Sequence, residues 1–255
     1  MITYNSFREF LNFLSILFAL NFRNKMRIVQ PLRRFLSSQA DCEPRIKTVL
    51  IYGDSNTWGY DPESASSRHT NHRFAYAKRW TTICQSLLGP DYNVIAEGLN
   101  NRTTVFSDTI STEGEYDCNG RATLAATLHA HKPLDIVVLA LGANDLKSKF
   151  CATPRDITIG MRILVKDTQN HSNLGHFIFT PNHTHSNDLV HVVPRILVIG
   201  PPLVQLTALN KLWGFPDDVS GQSKKLAALM KVWWVWYGMV MACTVLYCMY
   251  GYEYL

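Results

Sequence analysis

Four short apolar runs punctuate the middle of the chain: TVLIY (48–52), YNVIA (92–96), DIVVLAL (135–141) and RILVI (195–199). They are continuous rather than alternating, the pattern of strands buried on both faces of a parallel sheet. Helical spacing separates them. Residues 77–88 place Trp80, Ile83, Cys84 and Leu87 on one face, and 119–131 carry Leu124 and Leu128. Residues 154–168 carry Ile157, Met161, Leu164 and Val165, with Thr153 as N-cap, Pro154 in the first turn and Asp156 at the third helical position. Strand and helix in alternation predict a doubly wound α/β sheet with right-handed crossovers.

Each predicted strand ends at or just before a glycine turn: Gly53-Asp54-Ser55-Asn56, Gly98-Leu99-Asn100-Asn101, Gly142-Ala143-Asn144-Asp145 and Gly200-Pro201-Pro202. A parallel sheet turns all its carboxyl ends to one rim, where open α/β sheets place their sites. Ser55, Asn101 and Asn144 are therefore expected to converge. A hydroxyl nucleophile beside amide donors supplies two parts of an acyl-transfer site.

Composition narrows the alternatives. At 47% hydrophobic and 18% charged residues the chain is ordinary globular protein. The net charge of +5 belongs to the first 40 residues, which hold six basic side chains and one acidic; the remainder is balanced. The folded part thus lacks the basic surplus that drives nucleic-acid binding, and no such partner is expected. Cys42, Cys84, Cys118, Cys151, Cys243 and Cys248 are scattered without a C-x-x-C pair and read as reduced thiols of a cytoplasmic or organellar protein. There is no G-x-x-x-x-G-K, G-x-G-x-x-G or G-x-S-x-G motif. Five histidines between His171 and His191 lack helical metal-ligand spacing, so this stretch reads as a polar, solvated loop; neither metal nor cofactor is expected.

The ends differ from the middle. The uncharged run 10–22 is too short to span a bilayer, and the Arg- and Ser-rich segment from Met26 has the composition of a mitochondrial transit segment. Residues 1–45 are read as an extension and candidate targeting segment. Residues 232–252 are uncharged and long enough to span, yet rich in interfacial Trp and Tyr, so they are carried as a candidate membrane contact.

The motifs resemble those of the SGNH hydrolases, also called GDSL esterases and lipases, and most closely the arylesterase and acyltransferase-like branch. VLIYGDSNTWGYDP (49–62) is similar to the first family block, EGLNNRTT (97–104) to the second and LALGANDLK (139–147) to the third; RILVIGPPLV (195–204) is similar to the fourth strand and its loop. The resemblance covers about 46–168 and 194–231. It implies a three-layer α/β/α, flavodoxin-like fold of strand order 2-1-3-4-5, acting on small carboxylic esters without a cofactor. Ser55 then corresponds to the nucleophile, and its own N–H, the N–H of Asn101 and the side chain of Asn144 to the oxyanion donors. Asp54, Gly98 and Gly142 support the turns, and Trp58 lines the acyl side. Asn101 stands where the family has a small residue.

The chain departs from the pattern in two places. An insertion of about 170–193 precedes the fourth strand, and after Lys231 the fifth strand and its D-x-x-H block give way to the tail 232–255. Both departures fit a reading frame that retained non-coding sequence. The one D-x-x-H, Asp188-Leu189-Val190-His191, lies inside the insertion, before the fourth strand; this dyad is carried as a candidate that its position argues against. The expected organisation is an extension (1–45), a hydrolase domain (46–231) and a tail (232–255). The expected activity is a serine esterase, impaired if no base reaches Ser55; the alternative is an inactive pseudo-hydrolase serving as a binding or membrane-tethered protein.

Overall fold

The computed structural model describes residues 45–62, 64, 72–171, 173–175, 177–179, 189–191 and 193–236. In chain order the strands are β1 (Lys47–Gly53), β2 (Tyr92–Gly98), β3 (Ile136–Ala140), β4 (Phe177–Phe179), β5 (Leu189–His191) and β6 (Arg195–Val198). The helices are α1 (Ser55–Trp58), α2 (Trp80–Leu88), α3 (Gly120–Ala130), α4 (Pro154–Asn170), α5 (Ala208–Leu212) and α6 (Val219–Trp236). The four apolar runs are β1, β2, β3 and β6, and they form one parallel sheet in the order β2-β1-β3-β6. This is the first part of the expected 2-1-3-4-5 order.

Alternate residues of β1 feed two cores. Leu50 and Tyr52 join Val137 and Leu139 of β3 with Leu124, Met161, Leu164 and Leu226 from α3, α4 and α6. Val49 and Ile51 face the other way with Ile136, Val138 and Ile199, covered in part by Trp80 of α2. Burial on both faces explains why β1 and β3 read as unbroken apolar runs; β2, at the sheet's edge, has no fully buried residue and carries Asn93 within its run.

Local signals set the helix ends. The Asn119 carboxamide accepts from Arg121 N and Ala122 N at the start of α3. Thr153 and Asp156 form the reciprocal capping box of α4, with Asp156 N to Thr153 Oγ1 at 3.2 Å and Thr153 N to Asp156 Oδ2 at 3.0 Å. The helix expected from residue 77 begins at Trp80, after a 3-10 turn at Tyr76–Lys78. Its predicted inward face holds at Cys84 but fails at Leu87, which is 41% exposed. α2 lies beside β2, and among the described residues the sheet has no further strand there for the last turn to cover.

The stretch expected as a solvated loop is partly sheet. β4 and β5 pair antiparallel, Phe177 with His191 and Phe179 with Leu189. The histidine-rich composition masked two short β-forming runs, FIF and LVH, that can satisfy each other's backbone groups. Residues 180–188, Asp188 among them, lie outside the described residues, as do 1–44 and 237–255, where the targeting reading and most of the tail fall. α6 runs unbroken through Lys231 to Trp236, across the expected domain boundary. Among the described residues no helix is long and apolar enough to cross a membrane.

Candidate active site at the carboxyl rim of the sheet

β1 ends at Gly53 and the chain turns directly into α1. Asp54 caps that helix: its Oδ1 accepts from Asn56 N at 2.9 Å and from Asn56 Nδ2 at 3.0 Å. Asp54 is 2% exposed, and burial pushes its carboxyl up to about 6 against those hydrogen bonds. Ser55 is the first residue of α1, so its N–H is one that a helix start leaves without an intrahelical partner. Gly98, at the end of β2, lets the strand touch the backbone of α1, since a Cβ there would lie 2.1 Å from Trp58 N.

The loop after β2 is tied down from beneath. Buried Arg102 donates from Nη1 to Gly53 O at 2.8 Å and to Glu97 O at 2.6 Å, and its guanidinium lies 4.0 Å over the Tyr52 ring. It therefore clamps the ends of β1 and β2 together. Asn101, just before it, has φ +64, in the left-handed region that Asn tolerates better than most residues.

After β3, Gly142 takes φ +115 and the chain enters a 3-10 turn, Asn144–Leu146. Asn144 Nδ2 donates to Arg102 O at 3.1 Å, which fixes the amide orientation and leaves its second N–H free of that bond. Asp145, fully buried, accepts from Thr104 N at 2.9 Å and Thr104 Oγ1 at 2.5 Å, while burial raises its carboxyl to about 6. Lys147 ends the turn. Its Nζ donates to Asn101 Oδ1 at 2.8 Å, and burial lowers its ammonium to about 8.

These turns border a cavity of about 690 Å³ that Ser55, Asn101 and Asn144 all line. No protein acceptor takes the N–H of Ser55 or Asn101 among the described residues. The convergence expected from the glycine turns is thus present as geometry. Trp58 does not line the cavity: its ring lies under the Arg73 guanidinium at 4.5 Å, and its carbonyl accepts from Arg73 Nε. α1 is a single turn that ends at Trp58, and packing against Arg73 takes up the ring in place of the cavity. The aromatic wall comes instead from Tyr60, Phe74, Trp213 and Phe215. Sequence reading missed these four because they lie outside the periodic helices and strands: Tyr60 and Phe74 on two segments that bridge to each other, Trp213 and Phe215 on the segment between α5 and α6. It also passed over Lys147, although that residue closes the third block.

Among the described lining residues Lys147 is the one charged side chain, and none is a histidine. Asp188 lies outside the described residues, and His191 belongs to β5, in the separate two-stranded sheet. Among the described residues no group of three or more His, Cys, Asp or Glu side chains could hold a metal ion.

A parallel α/β/α domain carrying serine and amide donors at its carboxyl rim is the architecture of a serine-type ester hydrolase. A carbohydrate acetylesterase family member from Sinorhizobium meliloti is 35% identical, with 76% of this chain and 81% of that one aligned at a TM-score of 0.60. The native aryl esterase of M. smegmatis is 30% identical over 76% of this chain and 82% of its own, at a TM-score of 0.63. No family model and no curated protein matches the chain. The chain belongs to the SGNH hydrolases, a family of ester hydrolases, as its sequence blocks indicate.

Proposed function

We propose that the protein is a serine esterase that cleaves small carboxylic esters through a Ser55 acyl-enzyme. The observation that carries this reading is the shared cavity: Ser55, Asn101 and Asn144 meet there, with two backbone N–H groups unclaimed by protein acceptors. Ser55 Oγ attacks the ester carbonyl and its proton passes to water, since among the described lining residues no histidine or carboxylate stands as the base; the step is slowed accordingly, and the proton returns to the departing alcohol oxygen. The resulting oxyanion is received by the N–H of Ser55, the N–H of Asn101 and the free amide N–H of Asn144. Collapse expels the alcohol, and water then hydrolyses the acyl-serine. Asp54 acts through α1 by capping it, and Gly98 and Gly142 allow the turns to close. The catalytic unit is the expected domain 46–231, with α6 extending it to Trp236. A neutral ester fits a cavity walled by aromatic rings and amides, and aryl or acetylated carbohydrate esters are the substrate classes named for the relatives.

Labelling with a fluorophosphonate tests this reading, because the probe reports an activated serine without knowledge of the substrate. The parent chain labels and Ser55→Ala does not. Asn144→Ala slows labelling by about two to three orders of magnitude, the usual cost of one oxyanion donor. Absence of labelling in the parent refutes the acyl-enzyme and leaves the pseudo-hydrolase, with the cavity serving for binding alone.

A further inference from the structure

Lys147 is 7% exposed and has no carboxylate among its hydrogen-bond partners. Burying an ammonium without a counter-ion is costly, so its side chain needs a compensating interaction. Its hydrogen-bond partner is Asn101 Oδ1, at 2.8 Å, and the ammonium also lies 5.8 Å from the centre of the Phe215 ring. Asn101 is itself unusual: a non-glycine residue at φ +64 that lines the cavity, its backbone N–H taken by no protein acceptor among the described residues. The turn that ends in Lys147 also carries Asn144, whose amide grips Arg102 O, the carbonyl one residue beyond Asn101. One short turn therefore holds the Asn101 segment from both sides, by its side chain and by the carbonyl that follows it.

We propose that Lys147 is the positioning residue for Asn101: by donating to the Asn101 side chain, its ammonium holds the loop in the left-handed conformation that presents the Asn101 N–H to the cavity. The assignment rests on the reading of that N–H as an oxyanion donor only for its consequence in catalysis; the holding itself is a property of the fold. Glycine at 101 would need no such holder, because it enters φ > 0 without steric penalty. A side chain at this position brings the requirement for Lys147 with it.

A double-mutant cycle of Lys147→Met and Asn101→Gly separates the possibilities, since Met keeps most of the apolar stem of Lys while removing the ammonium, and any effect of the lost charge that does not pass through Asn101 appears equally in both backgrounds. Two readouts are taken on the full chain: the rate of fluorophosphonate labelling at Ser55 and the urea midpoint. Lys147→Met alone is expected to slow labelling by at least about tenfold, part of the loss that removing a donor outright produces. In the Asn101→Gly background the same substitution changes the rate by less than about threefold, and near pH 7 Lys147→Met raises the urea midpoint more there than in the parent, because only the burial cost of the ammonium is then relieved and no holding bond is lost. Equal losses in both backgrounds overturn the proposal, because Lys147 would then act on the cavity directly. An uncoupled urea cycle overturns it as well. If the parent chain does not label at all, the acyl-enzyme reading fails on its own, and the urea cycle still decides whether Lys147 holds Asn101.

Discussion

Gly98→Ala is the sharpest test of how the site is built. The added Cβ would lie 2.1 Å from Trp58 N and 2.6 Å from both Thr57 C and Trp58 Cα. All three are backbone atoms, so no side chain can swing aside. Restoring ordinary contact requires β2 and α1 to part by about 1 Å. That motion pulls on the last β1–β2 pair, Gly53 with Gly98, and on the bonds spanning it: Leu99 N to Gly53 O at 3.2 Å, and the Arg102 bridge to Gly53 O and Glu97 O. Overpacking at the upper end of its usual range, about 3 kcal/mol, with one weakened hydrogen bond of about 1 kcal/mol, predicts a loss of about 4 kcal/mol. For a domain of this size that is a fall in Tm of about 8–16 °C. Thermal unfolding followed by circular dichroism measures it against Gly221→Ala, where the new methyl meets open space on α6. That control should gain about 1 kcal/mol from helix propensity. At 20 °C the folded Gly98→Ala protein should also label more slowly at Ser55, because the displaced atoms belong to its helix. A Gly98→Ala protein whose Tm lies within about 2 °C of the parent would refute the packing argument.

Three further outcomes are expected. Asp54 and Asp145 have carboxyls raised by burial from 3.8 to about 6, so between those values the folded state binds protons that the unfolded state releases. Their cost to stability is therefore complete above pH 6 and disappears toward pH 4; urea midpoints should show the parent gaining on Asp145→Asn as pH falls through this window, and parallel curves would sink the assignment. Lys147, lowered by burial from 10.5 to about 8, works in the opposite direction: the folded state sheds its proton first, and stability rises between those values by up to about 3 kcal/mol. Lys147→Met should abolish that alkaline rise, and its persistence in urea titrations would show that another group causes it. Finally, Trp213 lines the cavity and meets Tyr60 edge to face at 5.6 Å. Trp213→Ala should raise KM for an aryl acetate about tenfold with little change in kcat, and an unchanged KM would place the aryl group elsewhere.

The features legible in the linear order of residues are those written in local chemistry. Strands buried on both faces must be apolar throughout, so β1 and β3 stood out; β2 and β6 showed by their β-branched residues, and caps such as Asn119 and Thr153 act within a few residues of themselves. The convergence of Ser55, Asn101 and Asn144 was legible for the same reason, since strand direction alone sends every carboxyl-end turn to one rim. Tertiary structure decided what depends on distant partners. Trp58 belongs to the first block, yet its ring packs against Arg73, 15 residues on, and does not line the cavity. The β4–β5 pair was hidden because a three-residue strand exists only through its partner. Lys147 reads as an ordinary cation in LALGANDLK; burial on a turn facing Asn101 makes it the charged member of the cavity wall. Nor can a linear pattern show that Arg102 joins β1 to β2 or that Gly98 touches α1, because these contacts arise from chain segments dozens of residues apart. Local propensity and periodicity thus place the reactive turns, while long-range packing selects which of their side chains face the substrate.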